Sequence, residues 1–94
     1  MLYFKFSNIQ YKQNRLDDCL IFSGEATNET GRDFSCVAFR AILYVKTVSI
    51  SSFVFTVKGF LKSQTRIFEV KVPELSHAVL KEITAYEIFA ESAY

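Results

Sequence analysis

The run Arg66-Ile67-Phe68-Glu69-Val70-Lys71-Val72 alternates residue by residue, with Phe68, Val70 and Val72 on one side and Glu69 and Lys71 on the other. A period of two marks a strand with one buried face and one wet face; on a helix the same residues would scatter around the axis. The pattern recurs along the chain. Over 19–27, Leu20, Phe22, Gly24 and Ala26 share a face, and Cys19, Ile21, Ser23 and Glu25 oppose them. Over 34–46, Val37, Phe39, Ala41 and Leu43 point inward, while Cys36, Ala38, Arg40, Ile42 and Tyr44 point outward. Over 48–57, Phe53, Phe55 and Val57 oppose Ser52, Val54 and Thr56. Further strands are expected over 2–11 and 83–90. Composition agrees: eight Val, seven Ile, six Thr, ten Phe and five Tyr outweigh seven Ala and seven Leu, the balance that favours strands.

The breaks between these runs are turn chemistry. Residues 13–18 form a polar cluster, and 28–33 contain Gly31, the natural residue for positive φ. Gly59 is expected to end the fourth strand, with 61–65 as a connection. Pro73, lacking an N–H for a ladder, is expected to stop the fifth. Ser76 can cap a short helical turn over 76–82, with Leu75 and Leu80 placed as a hydrophobic staple. Six regularly spaced strands without βαβ alternation predict one all-β domain over 1–94, an antiparallel β-sandwich. At 94 residues the chain buries roughly 60% of its unfolded surface, enough for one core.

Three segments carry a resemblance. They are Gly24-Glu25-Ala26-Thr27-Asn28 followed by Thr30-Gly31; Val37-Ala38-Phe39-Arg40-Ala41-Ile42-Leu43-Tyr44; and Gln64-Thr65-Arg66-Ile67-Phe68-Glu69-Val70. In order and spacing they resemble the FxLYD-type immunoglobulin-like domains of bacterial and archaeal proteins, over about residues 5 to 90. Ala41 stands where that family has its first motif Phe, Val45 where it has Asp, and Ser63 where it often has Gly. The resemblance implies an immunoglobulin-like sandwich of six to seven strands without catalytic apparatus. It also implies an accessory or interaction module of exported or envelope proteins, extracytoplasmic if the chain is an excised domain. It transfers no functional residues.

Charge removes several classes. Eleven basic and ten acidic residues leave +1, so no global field steers the molecule to nucleic acid or an anionic membrane. The opening residues lack the basic and apolar regions of a signal peptide, and no apolar stretch is long enough for a membrane span. Cys19 and Cys36 match no zinc spacing and read as packed, reduced thiols. The single histidine, His77, would need one of those thiols as a catalytic partner and lies far from both in sequence, so it reads as a surface residue and the chain as a non-enzyme. Asp17-Asp18 reads as turn solvation rather than a metal pair, and no cofactor or phosphate motif occurs. Asn28-Glu29-Thr30 fits a glycosylation pattern, but a turn explains it sufficiently.

Two surfaces are left as candidates. The outward side of the third strand is unusually apolar and requires a cover, either the 76–82 turn or a second protein chain. The expected interface comprises Arg40, Ile42 and Tyr44 with Tyr86 or Phe89 from the last strand, and a homodimer could form through it or an edge strand. The alternative is an anionic-ligand or single-stranded nucleic-acid patch at Lys58, Lys62, Arg66 and Lys71, with Phe60 as the aromatic left for base stacking.

Overall fold

The computed structural model describes residues 3–94, apart from the side chain of His77. The expected alternations become β1 (Phe4–Gln13), β2 (Cys19–Asn28), β3 (Phe34–Val45), β4 (Val48–Phe60), β5 (Thr65–Ser76) and β6 (Ala85–Ala93). A 3-10 helix, His77–Glu82, joins β5 to β6 and is capped by the Ser76 hydroxyl, which accepts from the Ala78 amide. The start expected at Leu2 lies outside the described residues. Every pairing is antiparallel, and the strands form two three-stranded sheets ordered β1-β2-β5 and β4-β3-β6. The β2–β3 connection crosses from one sheet to the other, so sequence neighbours face each other across the core.

The inward sets read from the sequence fill that core. Leu20, Phe22, Ala26, Phe68 and Val72 from one sheet meet Val37, Phe39, Ala41, Leu43, Phe55 and Val57 from the other. Rings join the layers: Phe55 stacks on Phe68 with centroids 4.7 Å apart, and Phe4 meets Phe39 edge-on at 5.1 Å and 87°. Such pairs add about 0.5–1.5 kcal/mol each beyond the area they bury. The surplus of Phe is therefore largely structural.

Two expectations fail here for local reasons. Strand β4 continues through Gly59 to Phe60 because Gly59 adopts φ 62, a left-handed conformation open to a residue without Cβ. That turn of the backbone breaks the alternation and swings Phe60 fully into the core, against Phe4 and Phe39. Strand β5 likewise runs past Pro73 to Ser76. Its only described partner is β2, so it is an edge, and Pro73 falls where the pairing with β2 breaks, so its missing N–H leaves no ladder bond unmade. The register shifts there, from Leu20↔Val72 to Cys19↔Ser76.

Asn28 ends β2 fully buried and organises two connections at once. Its side-chain nitrogen donates to the Arg32 carbonyl (2.8 Å) and the Phe60 carbonyl (3.2 Å). Its side-chain oxygen accepts from the amide and hydroxyl of Thr30, at 3.0 and 2.7 Å. Its own backbone amide donates to Gln64 and its carbonyl accepts from Ser63, which ties the β2–β3 turn to the β4–β5 connection. With both amide hydrogens engaged and no exposed surface, the glycosylation pattern at this position is closed in the folded chain.

Candidate functional site

The register of β3 against its two neighbours decides which side chains share the outer face of the second sheet. Arg40 lies between Val54 of β4 and Phe89 of β6, Ile42 between Ser52 and Glu87, and Tyr44 between Ser49 and Ala85. Arg40, Ile42, Tyr44 and Phe89 are thus brought together as expected. Tyr86 is not. It pairs with the inward Leu43, and its ring lies 6.1 Å from that of Phe22, on the opposite face. Positions 86 and 89 differ by three, which in a strand means opposite sides.

Within this face the polar side chains are held in place. Arg40 Nε donates to Glu91 Oε1 at 2.6 Å, and its Nη1 donates to Ser52 Oγ at 2.7 Å, spanning the sheet from β6 to β4. The Tyr44 hydroxyl donates to Glu87 Oε1 at 2.5 Å. That bond to a carboxylate, which favours the neutral phenol, pushes the Tyr44 hydroxyl above its ordinary pKa. Between these fixed groups Val54 and Phe89 are 44% and 42% exposed. The 3-10 helix does not cover them: it rests against β1, β2 and β5. Own-chain cover by the 76–82 turn, one of the two covers expected for this face, is absent among the described residues. Ser52, Val54, Glu87 and Glu91 complete the face; alternation already set Ser52 and Val54 opposite the inward side chains of their strand, and the register adds which residues of β3 they flank.

The basic set is dispersed. Arg66 turns its guanidinium to the Lys58 and Gly59 carbonyls (3.0 and 3.3 Å), closing the side where β4 runs beside β5. Lys71 sits 3.6 Å from Asp17, and Lys62 lies on the β4–β5 connection. Phe60, the aromatic needed for stacking, is buried. The arrangement offers no shared groove along which phosphates and bases could alternate.

Asp17 is turn chemistry, as the sequence suggested. Its Oδ1 accepts from the Cys19 amide (2.9 Å) and from Asn14 Nδ2 (3.1 Å). Hydrogen bonds from Cys19, helped by nearby Lys71, hold its carboxyl below the ordinary value of 3.8. Asp18 accepts from the Ser76 hydroxyl at 2.6 Å. Together they border a shallow cavity of about 310 Å³ with Cys19, Pro73, Leu75 and Ser76. No group of three or more His, Cys, Asp or Glu side chains able to hold a metal occurs among the described residues. Cys19 and Cys36 are both free thiols, and the side chain of His77 lies outside the described residues. No described helix is long and apolar enough to cross a membrane. Comparisons with protein-family models, with curated proteins and with solved structures find no match.

Proposed function

We propose that the chain is an immunoglobulin-like interaction module, related in kind to the FxLYD-type domains, that works by protein–protein contact and carries out no catalysis. The strand order supports the fold reading: β1-β2-β5 facing β4-β3-β6 corresponds to strands A-B-E facing C′-C-F of an immunoglobulin-like sandwich. One observation carries the functional reading. Arg40 and Tyr44 are fixed by Glu91, Ser52 and Glu87 between the exposed Val54 and Phe89, on a face left without cover by the helix. Arginine and aromatic side chains that are ordered before binding lose little entropy on contact, which is the chemistry of an interface centre. The apolar contact comes from Ile42, Val54 and Phe89, and the direction of approach from Arg40.

A second copy of the chain is the first partner to test. Solution mass measured over a range of concentrations should rise with concentration, and Ile42→Lys should hold the molecule monomeric with its circular dichroism unchanged. A native chain that stays monomeric throughout excludes the copy as partner. Unfolding of Ile42→Lys would place Ile42 in the core instead of an interface.

A further inference from the structure

Four strands lie at sheet edges, and three of them obstruct further pairing. In β1 the register shifts between Ser7 and Gln10, with Asn8 at φ 54 and lysines at 5 and 12. In β5 there are Pro73 and Lys71. In β4 there are Lys58 and the positive φ of Gly59, and Arg66 occupies the carbonyls of both. These are the usual means of blunting an exposed edge. Strand β6 has one such device, a register shift at Glu91, and it lies toward the end of the strand. From Ala85 to Ala90 it pairs with β3 in unbroken register, without Pro, Lys, Arg or a positive φ. That is about 20 Å of regular edge at 3.3 Å per residue.

The sandwich is also unequal from side to side. Where β4 runs beside β5, Arg66 bridges the sheets. On the opposite side β1 stands over β6, and no hydrogen bond or ion pair joins the two among the described residues. Along that seam Phe6, Tyr11 and Ile88 are only partly buried, and Tyr86 is 41% exposed. No residue of β6 is fully buried, and its outer edge, unpaired among the described residues, runs beside these partly exposed apolar side chains.

We infer that this edge receives an extended segment of a partner protein in which apolar and basic residues alternate, added as a fourth strand to β4-β3-β6. Backbone hydrogen bonds to the edge supply the common part of the affinity, and alternate side chains supply the selection. Those pointing inward meet Tyr86, Ile88 and Phe6 and are apolar. Those pointing outward lie beside Glu87, which accepts from the Tyr44 hydroxyl and from no cation among the described residues, and are cationic; Glu91, the other acid of β6, is matched by Arg40. In antiparallel pairing of β6 with a second β6, the registers that set Glu87 against Glu87 or Glu91 put like charges face to face. A second β6 also carries no Lys or Arg to set against Glu87, so the occupant is a different protein. The inference concerns the strand edge rather than the outer face, and it stands or falls apart from the proposed face contact.

The probe is a blocked peptide of about ten residues alternating Lys and Val, titrated into the full chain at about 50 mM salt. Hydrogen exchange and fluorescence anisotropy of the labelled peptide provide the readouts. Saturable binding is expected, with alternate amides of 85–90 gaining protection. Glu87→Lys should weaken binding about fivefold, the value of one surface charge pair, and Ile67→Lys, at an exposed position of the other sheet, should leave it unchanged. A peptide N-methylated at alternate positions, which keeps charge and apolarity but cannot complete a ladder, should not bind. Equal binding of the N-methylated or a Glu-for-Lys peptide, or protection gained elsewhere, overturns the inference. So does protection of 85–90 that rises with protein concentration alone, which would identify a second copy as the occupant.

Discussion

Replacing Asn28 tests the claim that one buried amide holds two connections. In Asn28→Ala the Phe60 carbonyl, which is buried, loses its side-chain donor, and the partly buried Arg32 carbonyl and Thr30 amide lose theirs. A buried polar group left without a partner costs about 1–3 kcal/mol. Water can reach the Arg32 and Thr30 side, so the sum is about 2–4 kcal/mol. A chain of this length has roughly 5–14 kcal/mol in total, and each kcal/mol moves the melting temperature by about 4–8 °C. The expected drop is thus about 10–30 °C, measured by far-ultraviolet circular dichroism on heating and by urea unfolding. Asn28→Asp sharpens the test. It keeps the shape and the acceptor for Thr30, but aims an oxygen at the two carbonyls, 2.8 and 3.2 Å from the present nitrogen. Only the protonated acid can donate there, so the folded-state pKa rises above the unfolded value of about 3.9. Stability is then retained below that value and lost as pH climbs through the folded pKa. Asn28→Asp should be less stable than Asn28→Ala at neutral pH, with the order reversing in acid. An Asp variant as stable as the native chain at neutral pH would refute the assignment of the amide as donor.

Two further outcomes follow from local geometry. A Cβ at Gly24 would sit 2.5 Å from Ile9 Cδ1 and 2.9 Å from Phe68 Cζ; Ile9 can move its terminal methyl, but Phe68 is held between Phe22 and Phe55. Gly24→Ala should lose about 1–3 kcal/mol in urea unfolding, part of it recovered when Ile9→Ala is added, and additive losses would exclude the clash. The depressed carboxyl of Asp17 contributes stability that is present above 3.8 and lost as pH falls through its lower folded value. Asp17→Asn should flatten the acid limb of the urea midpoint below about pH 4, and superimposable limbs would remove Asp17 as its source.

The inward faces of β2, β3 and β5 were legible because a period of two survives wherever one face is dry. Phe60 was not, because the positive φ of Gly59 resets the alternation one residue before it. Pro73 misled for a topological reason: whether a missing N–H matters depends on where the strand is paired, and strand pairing is absent from any local pattern. Arg40, Ile42, Tyr44 and Phe89 could be grouped from alternation alone, since each is outward on its own strand. Ser52 is outward by the same rule, but that it and Glu91 fix Arg40 could not be read, because they lie 12 and 51 residues from it. Tyr86 could have been placed correctly by counting from Phe89. Own-chain cover of the outer face failed because a helix that follows β5 can pack against either sheet.

The ring contacts run from Phe60 through Phe4 and Phe39 to Phe55, Phe68 and Phe22, and on to Tyr11 and Tyr86. Their surroundings change along the way. Phe39 has three buried ring neighbours, Phe4, Phe55 and Phe60, and one partly buried, Phe6, whereas Phe22 has one buried, Phe68, and three that are not, Phe53, Tyr11 and Tyr86. A ring turns about its own axis only when its neighbours recede for a moment, and dense packing makes that recession rare. Three of the four ring neighbours of Phe22 can recede toward solvent; of the four around Phe39 only Phe6 can. The interior is therefore graded, slow to rearrange at the Phe39 end and quicker toward the β1/β6 seam, and an incoming strand would stiffen the end that now breathes.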